Sequence, residues 1–226
     1  MSRKETVSIP MATNLTPVEA RVLASLVEKQ LTTPEYYPLT LNALTAACNQ
    51  KSNRDPVMSL GETEIQSAID SLRDQSLVYL YYGTGTRTVK YKHMLPGVYE
   101  VDEGGVAVMA VLMLRGPQTI GEIRERTGRM HEFADLNEVQ QTLDELSRRD
   151  EPLIVQLERQ PGQKEARYAH LLSGEIDITS LPTAAGRRTP SGEDPRVAAL
   201  ENDVAALKNE LAEFKATFDE FRKQFD

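Results

Sequence analysis

Apolar positions recur along the first 172 residues in two similar waves. In the first, Val18, Val22, Leu23, Leu26 and Val27 fall at helical spacing behind Thr16, Pro17 and Glu19. Those three residues supply a capping box with proline at the first helical position. A second helix is expected after Thr40, with Leu41, Leu44 and Cys48 turned inward. A third starts near Gly61 and places Ile65, Ile69 and Leu72 on one face. The β-branched and aromatic run Val78–Tyr82, the Gly83–Gly85 turn and the alternation over Thr88–His93 predict a hairpin.

The second wave repeats that order. Val106–Gly116 is a first helix, Thr119–Glu122 caps a second and Asp135–Glu138 caps a third. Strands are expected over Leu153–Glu158 and Ala166–Leu171, around Pro161 and Gly162. The waves match in detail. Glu64, Gln66, Asp70 and Leu72 align with Glu138, Gln140, Asp144 and Leu146 at one constant offset, and Tyr91 and His93 align with Tyr168 and His170. Three helices and a hairpin are the order of a winged helix, in which the third helix can enter a DNA groove and the hairpin, or wing, can touch the backbone. The expected fold is therefore mainly α with small β-hairpins, built as two tandem winged-helix domains at 15–95 and 96–172, after a tail at 1–14.

Residues 173–195 lack apolar periodicity and carry Gly, Pro and Ser, so a flexible linker is expected there. Beyond it, over 196–226, Val197, Leu200, Val204, Leu207, Leu211, Phe214, Phe218, Phe221 and Phe225 alternate spacings of three and four. That is a heptad seam. With Val197 at position a, a parallel pair sets Asp203 against Lys208 and Glu210 against Lys215. An antiparallel pair sets cations against cations. A parallel coiled-coil dimer is the simplest expectation, and four seam phenylalanines leave a trimer open.

Charge narrows where chemistry can sit. The 226 residues carry 26 Lys and Arg against 34 Asp and Glu, a net charge of −8. Residues 15–95 are neutral, with 8 basic and 8 acidic side chains, whereas 96–172 carry 9 and 14 and 173–226 carry 7 and 11. A polyanion would find its cations in the first repeat. No apolar run approaches the ~20 residues of a membrane span, and Met1–Pro10 lacks the apolar stretch of a secretory signal. A single cysteine, Cys48, fits a cytoplasmic setting.

Catalytic constellations are thin. Cys48 lies on an apolar helix face with no base near it in sequence. His93 and His170 end matching strands without zinc-ligand spacing, and His131 reads as a solvated loop residue. Gly83–Gly85 and Gly104-Gly105 lack the strand–turn–helix context of a phosphate loop. No enzyme activity, cofactor or metal is expected. The loop Asn49–Pro56 is polar, and its Lys51 and Arg54 suit phosphate contact while Asn49, Gln50 and Asn53 suit base edges. Arg87, Lys90 and Lys92 make the first wing basic. Opposing this, the third helices are acidic: Glu62, Glu64, Asp70 and Asp74 stand against Arg73 alone, and Glu138, Asp144 and Glu145 precede Arg148 and Arg149.

The stretch Glu28-Lys-Gln-Leu-Thr-Thr-Pro-Glu-Tyr-Tyr-Pro-Leu-Thr-Leu-Asn-Ala-Leu-Thr-Ala-Ala-Cys-Asn-Gln-Lys-Ser-Asn-Arg-Asp-Pro-Val57 resembles the YceH-like family of bacterial proteins. Leu112–Arg124 and Arg167–Leu171 fit the same family, and the resemblance spans roughly residues 13–172. It implies a tandem winged-helix fold and brings no activity or functional residues with it. The expected role is DNA binding or transcription regulation, through loop 49–56 and wing 83–93. The alternative is an acidic adaptor that binds other proteins.

Overall fold

In a computed structural model, which describes residues 14–83, 88–159 and 165–174, the first capping box closes as the sequence requires. Glu19 N donates to Thr16 Oγ1 at 3.2 Å and Thr16 N to Glu19 Oε2 at 2.6 Å. Helix α1 runs Pro17–Thr32 and is followed by a single 3-10 turn, Pro34–Tyr36. Thr40 caps α2 (Leu41–Cys48), and α3 (Glu62–Asp74) begins where Gly61 N donates to Glu64 Oε2 at 2.8 Å. Strands β1 (Val78–Tyr82) and β2 (Val89–His93) pair antiparallel, with Val78 opposite His93 and Tyr82 opposite Val89.

A short helix, α4 (Leu95–Tyr99), then crosses the expected boundary between residues 95 and 96. The second round follows with α5 (Glu103–Arg115), α6 (Ile120–Thr127), α7 (Leu136–Ser147), β3 (Ile154–Leu157) and β4 (Arg167–His170). Thr119 and Asp135 cap α6 and α7. The described residues thus form a mixed α+β fold of seven α-helices and two antiparallel hairpins. The described residues belong to one compact unit. The heptad seam from Val197 to Phe225, the linker from residue 175 and Arg87 lie outside the described residues.

The two rounds share bonds as well as order. Leu39 bridges to Tyr91 and Gln118 to Tyr168, each just ahead of a capping threonine. Tyr91 Oη donates to Gln66 Oε1 at 3.0 Å, and Gln66 Nε2 donates to Asp70 Oδ1 at 3.1 Å. The counterpart pairs are Tyr168 Oη to Gln140 Oε1 at 3.2 Å and Gln140 Nε2 to Asp144 Oδ1 at 2.7 Å. The aligned Tyr, Gln and Asp therefore tie the returning strand to the third helix in each round. His93 and His170 close the strands, and burial pulls both down to about 4; the nearby Lys92 charge assists at His93.

The rounds meet through their first helices. The α1–α5 contact is the most extensive between any two helices, and one apolar core runs through both rounds. A helix packed on two sides cannot keep a polar face in water. Accordingly every residue of α1 from Glu19 to Glu28 is buried, not only the expected apolar stripe, as is every residue of α5 from Gly104 to Leu114. Gly104 serves this packing: a Cβ there would stand 3.2 Å from the Phe133 ring. His131, expected to be solvated, is half-buried with its ring edge-on to Phe133 at 4.6 Å.

Candidate nucleic-acid interface

The loop between α2 and α3 begins at the carboxyl end of α2, where helix carbonyls lack intrahelical partners. Two guanidinium groups meet them. Arg21, 1% exposed, donates from Nη1 to Cys48 O at 3.1 Å and from Nη2 to Pro56 O at 2.6 Å. Arg54 Nη2 donates to Ala47 O at 2.8 Å. A cation at a helix carboxyl end also gains from the helix dipole. Arg54 is 5% exposed, and both its terminal nitrogens reach the Glu28 carboxylate, at 3.1 and 2.6 Å.

This corrects the expectation for Arg54. Its guanidinium faces the interior of the fold and is committed to α1 and α2, so it offers nothing to a phosphate. Asn49 is committed too: Nδ2 donates to Leu60 O at 2.8 Å and Leu60 N donates to Oδ1 at 2.7 Å. That two-way bond straps the loop's two ends together. Gln50 is half-buried and accepts from Arg54 at 3.2 Å. Asn53 is exposed, adopts a positive φ of 58° and accepts from Arg115 Nη2 at 2.8 Å. Asp55 N donates to Leu114 O, at the end of α5, at 2.9 Å. The loop thus joins α1, α2 and α5, and of its expected contact residues Lys51 alone projects an exposed side chain without a bond.

The first hairpin differs. Its register sets Tyr79 opposite Lys92 and Tyr81 opposite Lys90. Side chains alternate across a strand, so these four share one face, while Leu80, Tyr91 and His93 turn towards the helices. Tyr79 is 52% exposed and Tyr81 46%; Lys92 is exposed and Lys90 half-buried. Tyr82, 64% exposed and opposite Val89, falls on the other face with Val78 and Leu80, next to the turn. Two phenol rings interleaved with two ammonium groups form a flat, polarisable and cationic surface. The tyrosines were missed in the sequence because Val78–Tyr82 reads first as a good strand. Its alternation, with Tyr79 and Tyr81 out of phase with Val78 and Leu80, carries the signal.

The third helix of the first round presents acid outward. Glu62, Glu64, Asp70 and Asp74 are all exposed on α3, with Asp70 paired to Arg73 at 3.1 Å. Cys48 is fully buried and its thiol is pushed up to about 11 by burial, which leaves it a core residue and not a nucleophile. Among the described residues no helix is long and apolar enough to cross a membrane.

A family model described as a protein of unknown function, DUF480, matches residues 15–163. The UPF0502 protein of Geobacter metallireducens is 50% identical over 198 residues, which cover 86% of this chain and 90% of that one. The UPF0502 protein of Opitutus terrae is 49% identical over 194 residues, covering 84% and 81%. That of Shewanella halifaxensis is 45% identical over 201 residues, covering 84% and 93%.

Proposed function

We propose, from the premise that the chain belongs to the DUF480 (UPF0502) family, that it is a tandem winged-helix protein that binds nucleic acid through the outer face of its first wing. The observation that carries this reading is the cross-strand set Tyr79–Lys92 and Tyr81–Lys90 on one exposed face. Lys90 and Lys92 neutralise backbone phosphates, and Tyr79 and Tyr81 offer faces on which unpaired bases stack, each worth roughly 1–3 kcal/mol. Arg87, next to the wing in sequence, and Lys51 add charge. The acidic face of α3 repels phosphate, so the third helix does not read the major groove in this scheme. Single-stranded or locally opened DNA is the preferred ligand, and a regulatory role follows from that preference. A cytoplasmic setting and self-association through the Val197–Phe225 seam complete the reading, the latter presenting two first wings per assembly.

The test is fluorescence anisotropy with a single-stranded oligonucleotide and its duplex across a salt series. Lys90→Ala with Lys92→Ala is expected to lower the salt slope by about 1.4 on single strands, at ~0.7 per phosphate contact. Tyr79→Ala with Tyr81→Ala is expected to weaken single-strand binding more than duplex binding. Absence of binding at low salt removes this reading. It would favour an adaptor role, for which the exposed acids of α3 and the same tyrosines are suited, since tyrosine is enriched at protein interfaces.

A further inference from the structure

Where the two rounds of helices meet lies a pocket of about 220 Å³, open to solvent on the side of Asn53 and Arg129. Lys29 at the end of α1 and the loop residues Gln50 and Asn53 form one side; Arg115, Arg126 and Arg129 form the other, over an apolar floor from α5. Four cationic side chains therefore line a space equal to about seven waters at ~30 Å³ each.

Their charges are not all spent. Glu28 is the one acid in the lining, and Arg54 already grips both of its oxygens, leaving Lys29 a distant 3.7 Å approach. Arg126 bonds Gln118 Oε1 at 2.5 Å and Glu122 at 3.2 Å, but Gln118 is neutral and that carboxylate also serves Arg167 at 2.7 Å. Arg115 has one hydrogen bond, to Asn53, and Arg129 has no hydrogen bond or ion pair among the described residues. Burial lowers the pKa of Arg115 first, and the neighbouring Arg126 charge lowers it further, against the pull of Asp55 and Glu122. Cations that line one pocket gain from a shared counter-charge, and guanidinium forks match phosphate oxygens in pairs.

We propose that this cavity binds a small phosphate-bearing anion that spans the two rounds, with Lys29, Arg115, Arg126 and Arg129 as its charge contacts. The site is separate from the wing face. Because the ligand touches α1 and the loop on one side and α5 and the residues after α6 on the other, its binding stabilises their junction by mass action. The size suits a diphosphate or a compact phosphomonoester.

Isothermal titration of the full chain with sodium pyrophosphate at low salt tests this. Saturable binding is expected, with a matching rise in melting temperature. Arg129→Gln alters a side chain with no bond among the described residues, Lys29→Gln gives up only the 3.7 Å approach to Glu28, and each is expected to weaken binding by about tenfold or more, the equivalent of one charge-assisted contact. Lys90→Ala with Lys92→Ala is expected to leave pyrophosphate binding unchanged, which separates this site from the wing. Succinate is expected to bind at least about tenfold more weakly, because its carboxylates carry less charge per volume. Absence of pyrophosphate binding, binding indifferent to both variants, or equal affinity for succinate overturns the proposal. So does displacement of pyrophosphate by a single-stranded oligonucleotide whose own affinity falls equally in Arg129→Gln, since that would make the cavity part of a nucleic-acid track.

Discussion

Replacing Arg54 by alanine removes five hydrogen bonds, to Glu28 twice and to Ala47, Gln50 and Asn53. It also strands the Glu28 carboxylate, whose side chain is 10% exposed, with only Lys29 at 3.7 Å. Breaking a buried ion pair from one side costs about 3–5 kcal/mol, mostly through the uncompensated charge left behind. For a unit of this size that corresponds to a fall in melting temperature of about 6–20 °C, at ~2–4 °C per kcal/mol. Urea unfolding followed by circular dichroism gives the free energy directly, and an unchanged slope against urea shows that the native and unfolded states keep their exposure. Arg54→Lys is expected to recover only part of the loss, because an ammonium cannot reproduce the two-pronged contact. Arg54→Met combined with Glu28→Leu is expected to cost less than the two single changes together, since no lone charge remains. A loss below about 1 kcal/mol for Arg54→Ala, accompanied by loss of oligonucleotide binding, would refute the assignment and restore Arg54 as a contact residue.

The matched strand-to-helix bonds predict matched costs: Tyr91→Phe and Tyr168→Phe should each destabilise by about 1 kcal/mol in the same urea assay. His93 and His170 sit near 4 in the fold and near 6.5 when unfolded, so the unfolded chain binds protons first as pH falls. Their contribution is complete above about pH 6.5 and is lost as pH drops towards 4; between pH 7 and 5 the native chain should lose about 1–2 kcal/mol more per histidine than a His93→Phe, His170→Phe variant, as measured by urea unfolding. For the tail, a chain ending at residue 190 should sediment as a monomer and the full chain as a dimer; equal masses would remove the coiled-coil proposal.

Much of the helical framework was legible because its signals are local. Thr16, Thr40, Thr119 and Asp135 cap helices from positions a few residues away, and the constant offset between Gln66 and Gln140 preserved a bond that recurs in space. The loop was misread because its partners are remote. Arg54 meets Glu28 across 26 residues, and nothing within Asn49–Pro56 distinguishes a cation held inside the fold from one displayed to solvent. A hint did exist in α1, where Arg21, Ser25 and Glu28 follow one another at helical spacing on the side away from Val22 and Val27. A polar stripe on a helix otherwise rich in apolar residues reads as a solvated face until a second layer is known to cover it. Helix α4 escaped notice because five residues containing Pro96 and Gly97 carry no periodicity.

The contact between α1 and α5 gives the two rounds unequal inheritances. On α1 the buried surface includes Arg21, Ser25 and Glu28, whereas on α5 it runs from Gly104 to Leu114 without a charged side chain. The halves are thus specialised to each other, like a lock built with its own key. A copy of the second round on its own would expose an oily rod to water. Separating or exchanging the halves is therefore not a neutral rearrangement.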